Sequence, residues 1–217
     1  MTSDGSKTIY LEELNEQYHS IHGAYQESKH VYIESGLKTF LNLYPNKSHI
    51  SIMEVGFGTG LNAYLTAIES IKSSQNISYY GIEAHPVKSS EIKALAYEKF
   101  IGSYSSVFHK IHDCVWGKKC KISSTFYMIK KLDFFSNISY NDLFDIIYFD
   151  AFGPRVQPEL WNTSILKIMY NALKSKGILT TYCSKGSVRR NMEAIGFKVE
   201  RLPGPKGKRE MLRATKP

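Results

Sequence analysis

A glycine-rich segment at residues 51–62 places the tightest constraint on the fold of this chain. The segment is Ser51-Ile-Met-Glu54-Val-Gly56-Phe-Gly58-Thr-Gly60-Leu-Asn62. Its apolar start predicts a buried strand, and its alternate glycines allow a sharp turn whose backbone N–H groups can approach a ligand. In open α/β sheets, the loop after the first strand is where nucleotide-like cofactors bind. The segment therefore predicts an α/β fold with a cofactor loop.

The spacing of the glycines excludes some classes of cofactor. No Gly-Lys-Ser/Thr follows, so this is not a phosphate loop, and the third glycine comes one residue too early for the dinucleotide pattern G-x-G-x-x-G. An acid two residues before the first glycine suits a positively charged cofactor end. The segment resembles motif I of class I S-adenosylmethionine (SAM) methyltransferases, although a turn without a ligand is an alternative. The resemblance implies SAM contacts from Glu54, Gly56, Phe57, Gly58, Thr59, Gly60 and Asn62.

A second acid falls where such a cofactor needs one. Glu83 ends the apolar run Ile77–Glu83, and Pro86 follows in a plausible first helical turn. A carboxylate at the end of the second strand can accept hydrogen bonds from both ribose hydroxyls, as in dinucleotide sites. Together, Glu54 and Glu83 support a SAM site more strongly than either does alone.

Strand-like and helix-like segments alternate along most of the chain and predict a doubly wound, mostly parallel, Rossmann-like sheet. Residues 46–217 should form this methyltransferase domain. The first 45 residues do not fit the repeat and predict an N-terminal extension or lid, with short strands at Thr8–Leu11 and Lys29–Ile33. A final strand, Glu210–Ala214, should pair antiparallel at the sheet edge. The other predicted strands are Ile50–Val55, Ile77–Glu83, Ser124–Lys131, Leu143–Asp150, Ile178–Cys183 and Phe197–Leu202, and the predicted helices are Leu61–Lys72, Val87–Phe100, Pro158–Leu173 and Ser187–Ile195.

Composition excludes some classes of protein. A hydrophobic content of 42% allows a full core, and no apolar run is long enough to span a membrane. The N-terminus has no apolar signal region. The three cysteines, Cys114, Cys120 and Cys183, lack metal-ligand spacing and predict reduced thiols in a cytoplasmic protein without a bound metal.

Positive charge is concentrated near the C-terminus. Residues 184–217 carry ten Lys/Arg and three Glu, so they supply most of the net charge of +8. Such a segment is a candidate contact surface for nucleic acid, although a solvated basic tail is an equally reasonable interpretation.

The stretch at residues 144–161 indicates where the substrate lies. Its apolar strand delivers Asp150 to a loop stiffened by Pro154 and Pro158, before Trp161. In open α/β sheets, the carboxyl ends of the strands meet at one edge, where substrate and cofactor bind. Asp150 is therefore a candidate catalytic residue, although a helix cap or a loop hydrogen bond is the alternative.

Three segments in order resemble the methyltransferase domain of the bifunctional tRNA 5-methylaminomethyl-2-thiouridine biosynthesis proteins (the MnmC type). They are Glu54–Asn62, Asp145–Trp161 and the pair Thr181–Phe197 with Gly204–Met211. The chain departs from the family pattern at Gly153 and Gln157. The resemblance implies a stand-alone methyltransferase without the flavin-dependent oxidase half, which depends on other enzymes to install the aminomethyl group.

The implied reaction moves a methyl group from SAM to the amine of 5-aminomethyl-(2-thio)uridine at a tRNA wobble position. Asp150 would orient the amine, and whether it also accepts the proton stays open. Asp133 would face the adenine amino group. Phe152, Tyr148 and Trp161 are candidates for stacking on the base, with core packing favoured for the last two. Substrate or tRNA contacts are further expected from Pro154, Lys185, Arg189, Arg190, Lys206, Lys208 and Arg209.

Two other functions fit parts of the sequence. A spermidine-synthase-like aminopropyltransferase shares the fold, and Gly23-Ala-Tyr25-Gln26 faintly resembles one of its elements, but a polyamine site needs more acids than Asp150. A non-catalytic SAM- or RNA-binding module is the second alternative. The intact Glu54, glycine loop, Glu83 and Asp150 argue against it.

Overall fold

A twisted sheet of eight strands forms the centre of the molecule in a computed structural model that describes residues 1–217. A separate two-stranded hairpin pairs β1 (Tyr10–Leu11) with β2 (Glu16–Gln17). The strands of the large sheet are β3 (His49–Val55), β4 (Asn76–Glu83), β5 (Lys119–Lys121), β6 (Phe126–Leu132), β7 (Phe144–Phe149), β8 (Leu173–Thr181), β9 (Lys198–Pro203) and β10 (Glu210–Thr215). Their order is β5-β6-β4-β3-β7-β8-β10-β9.

Five neighbouring strands, from β6 to β8, are parallel. The central strand β7 is buried along its whole length, as its apolar sequence requires for a strand covered on both faces. Separate apolar clusters pack on the two faces of the sheet, one around Ile52 and Tyr148 and the other around Met53 and Ile147. The doubly wound, mostly parallel sheet predicted from the sequence is confirmed, and the carboxyl ends of β3, β4, β6 and β7 meet at one edge.

The last strand, β10, does not lie at its predicted position. It was expected at the sheet edge, but it lies between β8 and β9 and is antiparallel to both. Its buried residues Met211, Leu212 and Ala214 explain the position, because an interior strand has no exposed edge. The edge strand on this side is β9.

The helices follow the predicted order with different bounds. The single helix expected at 87–100 is broken at Ala96, whose φ is 52°. The helix expected from Pro158 starts as a short 3-10 turn, and its α-helical part begins after Asn162, whose side chain caps the N–H of Ile165. The helices that cover the sheet are Leu61–Ser73, Ser89–Leu95, Tyr97–Ile101, Ser105–Asp113, Thr163–Ala172 and Gly186–Ile195.

The N-terminal region is largely helical. Three consecutive segments, Ala24–Ser28, Lys29–Lys38 and Thr39–Leu43, form what we call the N-terminal helix, and its middle segment is a π-helix. The strand predicted at Lys29–Ile33 is therefore wrong, whereas Tyr10–Leu11 lies within the predicted Thr8–Leu11. The apolar run Val31–Ile33 resembles a strand, but it packs into the core on the sheet face that carries Tyr148. The division at residue 45 stays a prediction.

The cysteines also depart from expectation. Cys114 and Cys120 form a disulfide with Cα atoms 5.9 Å apart, so the expectation of three reduced thiols is wrong. Only Cys183 is free, and it is buried. None of the helices combines the length and the apolar character that a membrane-spanning helix needs.

Candidate active site

The glycine-rich loop and the end of β7 touch one another. Gly56 has a φ of +89°, and a Cβ there would lie 2.5 Å from the carbonyl oxygen of Asp150. Only glycine fits that conformation and that contact. The loop is fixed further because the N–H groups of Gly56 and Phe57 both donate to the carbonyl oxygen of Ile82. The cofactor loop is therefore held directly beside the candidate catalytic residue.

Phe57 anchors the glycine-rich loop by packing its ring against β4. Its ring is buried, and a Cβ at Gly81 on β4 would lie 2.6 Å from it, so the strand leaves room for the ring. The Lys130 ammonium lies 5.9 Å from the ring centroid and donates to the carbonyl oxygen of His112. Burial lowers the pKa of Lys130 to about 8. Phe57 is thus a support of the loop, and because it also lines the cleft, its predicted contact with the cofactor stays a prediction.

Glu83 lies in the cleft at the end of β4, as predicted. One carboxylate oxygen accepts the N–H of Gly58 at 2.9 Å, and the other accepts the N–H of His85 at 2.9 Å. A carboxylate has further lone pairs, so both oxygens can still accept hydrogen bonds from ribose hydroxyls. The ribose role stays a prediction, and Glu83 also orders the loop.

Glu54 has a different position from the one expected. It is fully buried and does not line the cleft, whereas its place before the glycines predicted a contact with the charged end of the cofactor. Its carboxyl group accepts hydrogen bonds from Asn62 and Tyr79, each at 2.8 Å. Burial raises the pKa of Glu54 well above its usual range. Glu54 therefore affects the cleft indirectly, because it holds the side chain of Asn62, which lines the cleft.

Asp150 is held on both carboxylate oxygens. The Tyr32 hydroxyl donates to Oδ1 at 2.6 Å, and the Asn62 amide donates to Oδ2 at 2.7 Å. Desolvation raises the pKa of Asp150 to about 7, although these two hydrogen bonds and Lys208 act in the opposite direction. Asp150 lines the cleft, so a carboxyl group with a raised pKa faces the space that a ligand would occupy.

A charged pair forms the wall beside Asp150. The Lys208 ammonium lies 2.5 Å from the Glu27 carboxylate and 3.9 Å from the centroid of the Tyr182 ring. The Tyr182 hydroxyl donates to the carbonyl oxygen of Ala151 at 2.8 Å. Lys208 was expected to hold the tRNA backbone; its ammonium is paired with Glu27 in the cleft wall, and the contact with tRNA stays a prediction. The sequence offered no signal for Glu27, because its partner lies at the other end of the chain.

The loop after β7 presents an aromatic ring to the cleft. Phe152 lines the cleft and makes an edge contact with Tyr18, with ring centroids 5.2 Å apart. The Trp161 indole N–H donates to the Phe152 carbonyl oxygen at 2.8 Å and fixes the loop. Pro154 also lines the cleft. Trp161 and Tyr148 are buried, so the predicted core packing of these two residues is confirmed.

Asp133 does not reach the cleft. Its carboxylate accepts the N–H of Phe134 at 2.9 Å and the side-chain amide of Asn137 at 2.8 Å, and so caps a short turn. The cleft is lined instead by Phe134 and Ser136 of that turn. The contact of Asp133 with adenine stays a prediction, and the ring of its neighbour Phe134 lies in the cleft wall.

The cleft as a whole has a volume of about 1540 Å³. One end is formed by the glycine loop, Glu83 and Phe134, and the other by Asp150, Phe152 and Tyr182. The N-terminal hairpin and the residues up to Ile21 form a further wall. The space exceeds what one ligand of ordinary size needs, about 300–1,000 Å³. It suits a nucleoside cofactor at one end and a second molecule at the other.

The other basic residues that were predicted to contact tRNA differ in whether an acidic side chain already pairs with them. Arg189 forms an ion pair with Glu193 on the same helix. Four others are exposed and form no ion pair: Lys185, Arg190, Lys206 and Arg209. Lys185 also lines the cleft.

The sheet order, the glycine loop and an acid at the end of the second parallel strand define a class I SAM-dependent methyltransferase. A family model for S-adenosyl-L-methionine-dependent methyltransferases matches residues 97–217, and the chain belongs to that family. The residues present suit SAM, because the glycine loop, the Glu83 carboxylate and the Phe134 ring lie around one end of the cleft.

More specific similarities are to proteins of tRNA modification. The chain is 29% identical to the tRNA 5-methylaminomethyl-2-thiouridine biosynthesis bifunctional protein MnmC of Leptospira interrogans, over 98% of this chain and 34% of the relative. It is 27% identical to the MnmC protein of Campylobacter fetus, over 78% of this chain and 29% of the relative. The chain thus spans about a third of the length of these relatives.

A solved structure supports the same fold. The crystal structure of MnmC2 from Aquifex aeolicus matches with a TM-score of 0.76 and 24% identity, over 100% of this chain and 69% of the other. At that identity, the likeness supports the fold alone.

Proposed function

We propose that this methyltransferase transfers a methyl group from SAM to the 5-aminomethyl group of a tRNA wobble uridine or 2-thiouridine. The observation that carries the proposal is Asp150, which lies in the cleft against the glycine loop and is held on both oxygens. The names of the relatives point to the same modification.

In this proposal, Asp150 receives the substrate amine. SAM supplies an electrophilic methyl group on a sulfonium centre, and a neutral amine attacks it in line. A carboxylate that accepts an N–H bond can aim the nitrogen lone pair toward the methyl carbon, and positioning of this kind supplies most of the catalysis in such a step. Since the pKa of Asp150 is raised to about 7, the carboxylate is also a better acceptor for the amine proton than an ordinary aspartate.

The base would occupy the end of the cleft formed by the loop after β7. Phe152 lies there with its ring available for stacking, and Tyr18 meets it edge-on from the N-terminal segment. Enzymes that modify a base commonly hold it between aromatic walls. We assign Phe152 and Pro154 to the base, and the ribose hydroxyls of the cofactor to Glu83.

The tRNA backbone would contact the exposed basic residues near the C-terminus, which are Lys185, Arg190, Lys206 and Arg209. Contacts of Lys and Arg with phosphates supply most of the affinity for nucleic acid and little sequence specificity. The aminomethyl group must be installed before this reaction, so other enzymes supply the substrate tRNA.

Asp150→Asn tests the proposal, because it keeps the size of the side chain and removes the charge. Turnover on tRNA carrying 5-aminomethyluridine should fall by about 100-fold or more, the usual contribution of a group that handles the proton. SAM affinity, measured by calorimetry, should stay within a few-fold. The exposed Asp113→Asn serves as the matched control and should keep wild-type turnover.

Two results would count against this function. Normal turnover of the Asp150→Asn protein would show that the Asp150 carboxylate has no role in the reaction. Transfer of an aminopropyl group from decarboxylated SAM, without methyl transfer from SAM, would support the aminopropyltransferase alternative instead.

A further inference from the structure

Tyr32 occupies a buried position in the N-terminal helix. Its side chain is 1% exposed, and its ring packs against Tyr148 with centroids 5.2 Å apart. This packing aims the hydroxyl group at the end of β7. The segment was expected to form a strand, so no sequence pattern placed Tyr32 near Asp150.

The hydroxyl of Tyr32 and the amide of Asn62 bind opposite oxygens of Asp150, at 2.6 and 2.7 Å. Rotation of the carboxylate about its Cβ–Cγ bond would break both bonds. Asn62 is itself held by its bond to buried Glu54, and Glu54 by Tyr79. The carboxylate is therefore held on both oxygens, and the Tyr32 hydroxyl supplies one of these two hydrogen bonds.

We propose that Tyr32 is a positioning residue for Asp150, and that its hydroxyl holds the carboxylate in the orientation that receives the substrate amine. Its effect on catalysis rests on the proposed function. Its effect on the Asp150 carboxyl group does not, since that contact is independent of any substrate.

The same contact influences when Asp150 ionises. A hydrogen bond donated to a carboxylate stabilises the charged form, so the Tyr32 hydroxyl lowers the pKa of Asp150 against the larger opposite effect of desolvation. The other groups that face Asp150 are the Glu27 carboxylate, which raises its pKa, the Lys208 ammonium and the Asn62 amide, which lower it, and the hydroxyl of Tyr182 and buried Glu54 behind Asn62. None of these is altered by removing one oxygen from Tyr32.

Tyr32→Phe removes that oxygen and keeps the ring. Tyr148→Phe is a matched control, because it removes a buried hydroxyl from the neighbouring ring, and that hydroxyl has no hydrogen-bond partner. We would titrate each protein labelled with ¹³C at the aspartate carboxyl carbons and assign the Asp150 signal by its loss in Asp150→Asn. The midpoint should move to higher pH in Tyr32→Phe and stay unchanged in Tyr148→Phe.

Kinetics then separate the two proposals. In Tyr32→Phe, kcat/KM at pH 6 should fall about tenfold, as expected from loss of one hydrogen bond to an ionised group, with SAM affinity within about twofold of the wild type. An unchanged Asp150 midpoint in Tyr32→Phe would overturn the positioning role. If the midpoint shifts in Tyr32→Phe while the wild-type protein methylates no aminomethyluridine tRNA, the positioning role stands and the proposed function alone is overturned.

Discussion

Lys208 and Glu27 are 181 residues apart in the sequence, yet their side chains form an ion pair of 2.5 Å in the cleft wall. Glu27 also accepts the N–H of Ser20 at 2.8 Å. Through these two contacts, Glu27 links the C-terminal basic segment, the N-terminal helix and the residues that cover the cleft.

Loss of Lys208 should destabilise the protein. Lys208→Met leaves the buried Glu27 carboxylate without its ammonium partner, and we expect a loss of about 1–3 kcal/mol in the free energy of unfolding. Urea denaturation measures this loss. Lys206→Met, at an exposed position two residues away, should change the stability far less. Equal effects of the two substitutions would mean that the pair contributes nothing.

Glu83→Ala should weaken SAM binding by about 1–3 kcal/mol, because it removes acceptors for the ribose and the anchor of the Gly58 N–H. Calorimetry gives the affinity directly. Glu91→Ala removes an acid that also lines the cleft without touching the glycine loop, and it should bind SAM nearly as the wild type does. Wild-type affinity in Glu83→Ala would refute the ribose assignment.

Asp150 should make stability depend on pH in an unusual direction. Its folded pKa of about 7 lies above the ordinary value of 3.8, so between these limits the folded protein binds more protons than the unfolded chain. Stability then decreases as pH rises. Asp150→Asn cannot ionise, so its stability relative to the wild type should be greater at pH 8 than at pH 5. Unfolding by urea at both pH values checks the sign, and an unchanged difference would contradict the raised pKa.

Binding of tRNA should fall steeply with salt, because it depends on phosphates. Replacing Lys185, Lys206 and Arg209 together by Gln should reduce the slope of log affinity against log salt concentration. Lys93, Lys99 and Lys110 are equally exposed and lie outside the basic C-terminal segment, so the same triple replacement there is the control for net charge. Identical slopes in both variants would show that residues 184–217 are only a solvated surface.

Local sequence patterns predicted the parallel core of the fold well. β3 and β4 begin one residue before their predicted starts and end at the predicted residues, because their apolar runs end at a glycine loop or an acid. β10 was misplaced because an apolar strand near the chain end carries no information about which neighbours it pairs with. The N-terminal helix was misread because Val31–Ile33 are consecutive apolar residues, a pattern that a buried helix and a strand share.

The parts of the site that lie at the ends of the predicted parallel strands could be predicted from the sequence. The contact of the glycine loop with Asp150 follows from adjacent parallel strands, and Glu83 falls where its strand ends. The roles of Tyr32 and Glu27 depend on packing between distant segments, so no local pattern reveals them. Glu54 was assigned to the cofactor because its position along the chain is suggestive, but its side chain points into the interior, where Asn62 and Tyr79 bind it.

The position of β10 has a consequence for synthesis on the ribosome. β9 pairs with β10 and with no other strand, so residues 198–203 cannot join the sheet until residues 210–215 have been made. Lys208 reaches Glu27 only through the same late segment. A nascent chain that has finished β8 thus carries the glycine loop and Asp150 but still lacks Lys208, so the ion pair with Glu27 in the cleft wall can form only after that later segment has been made.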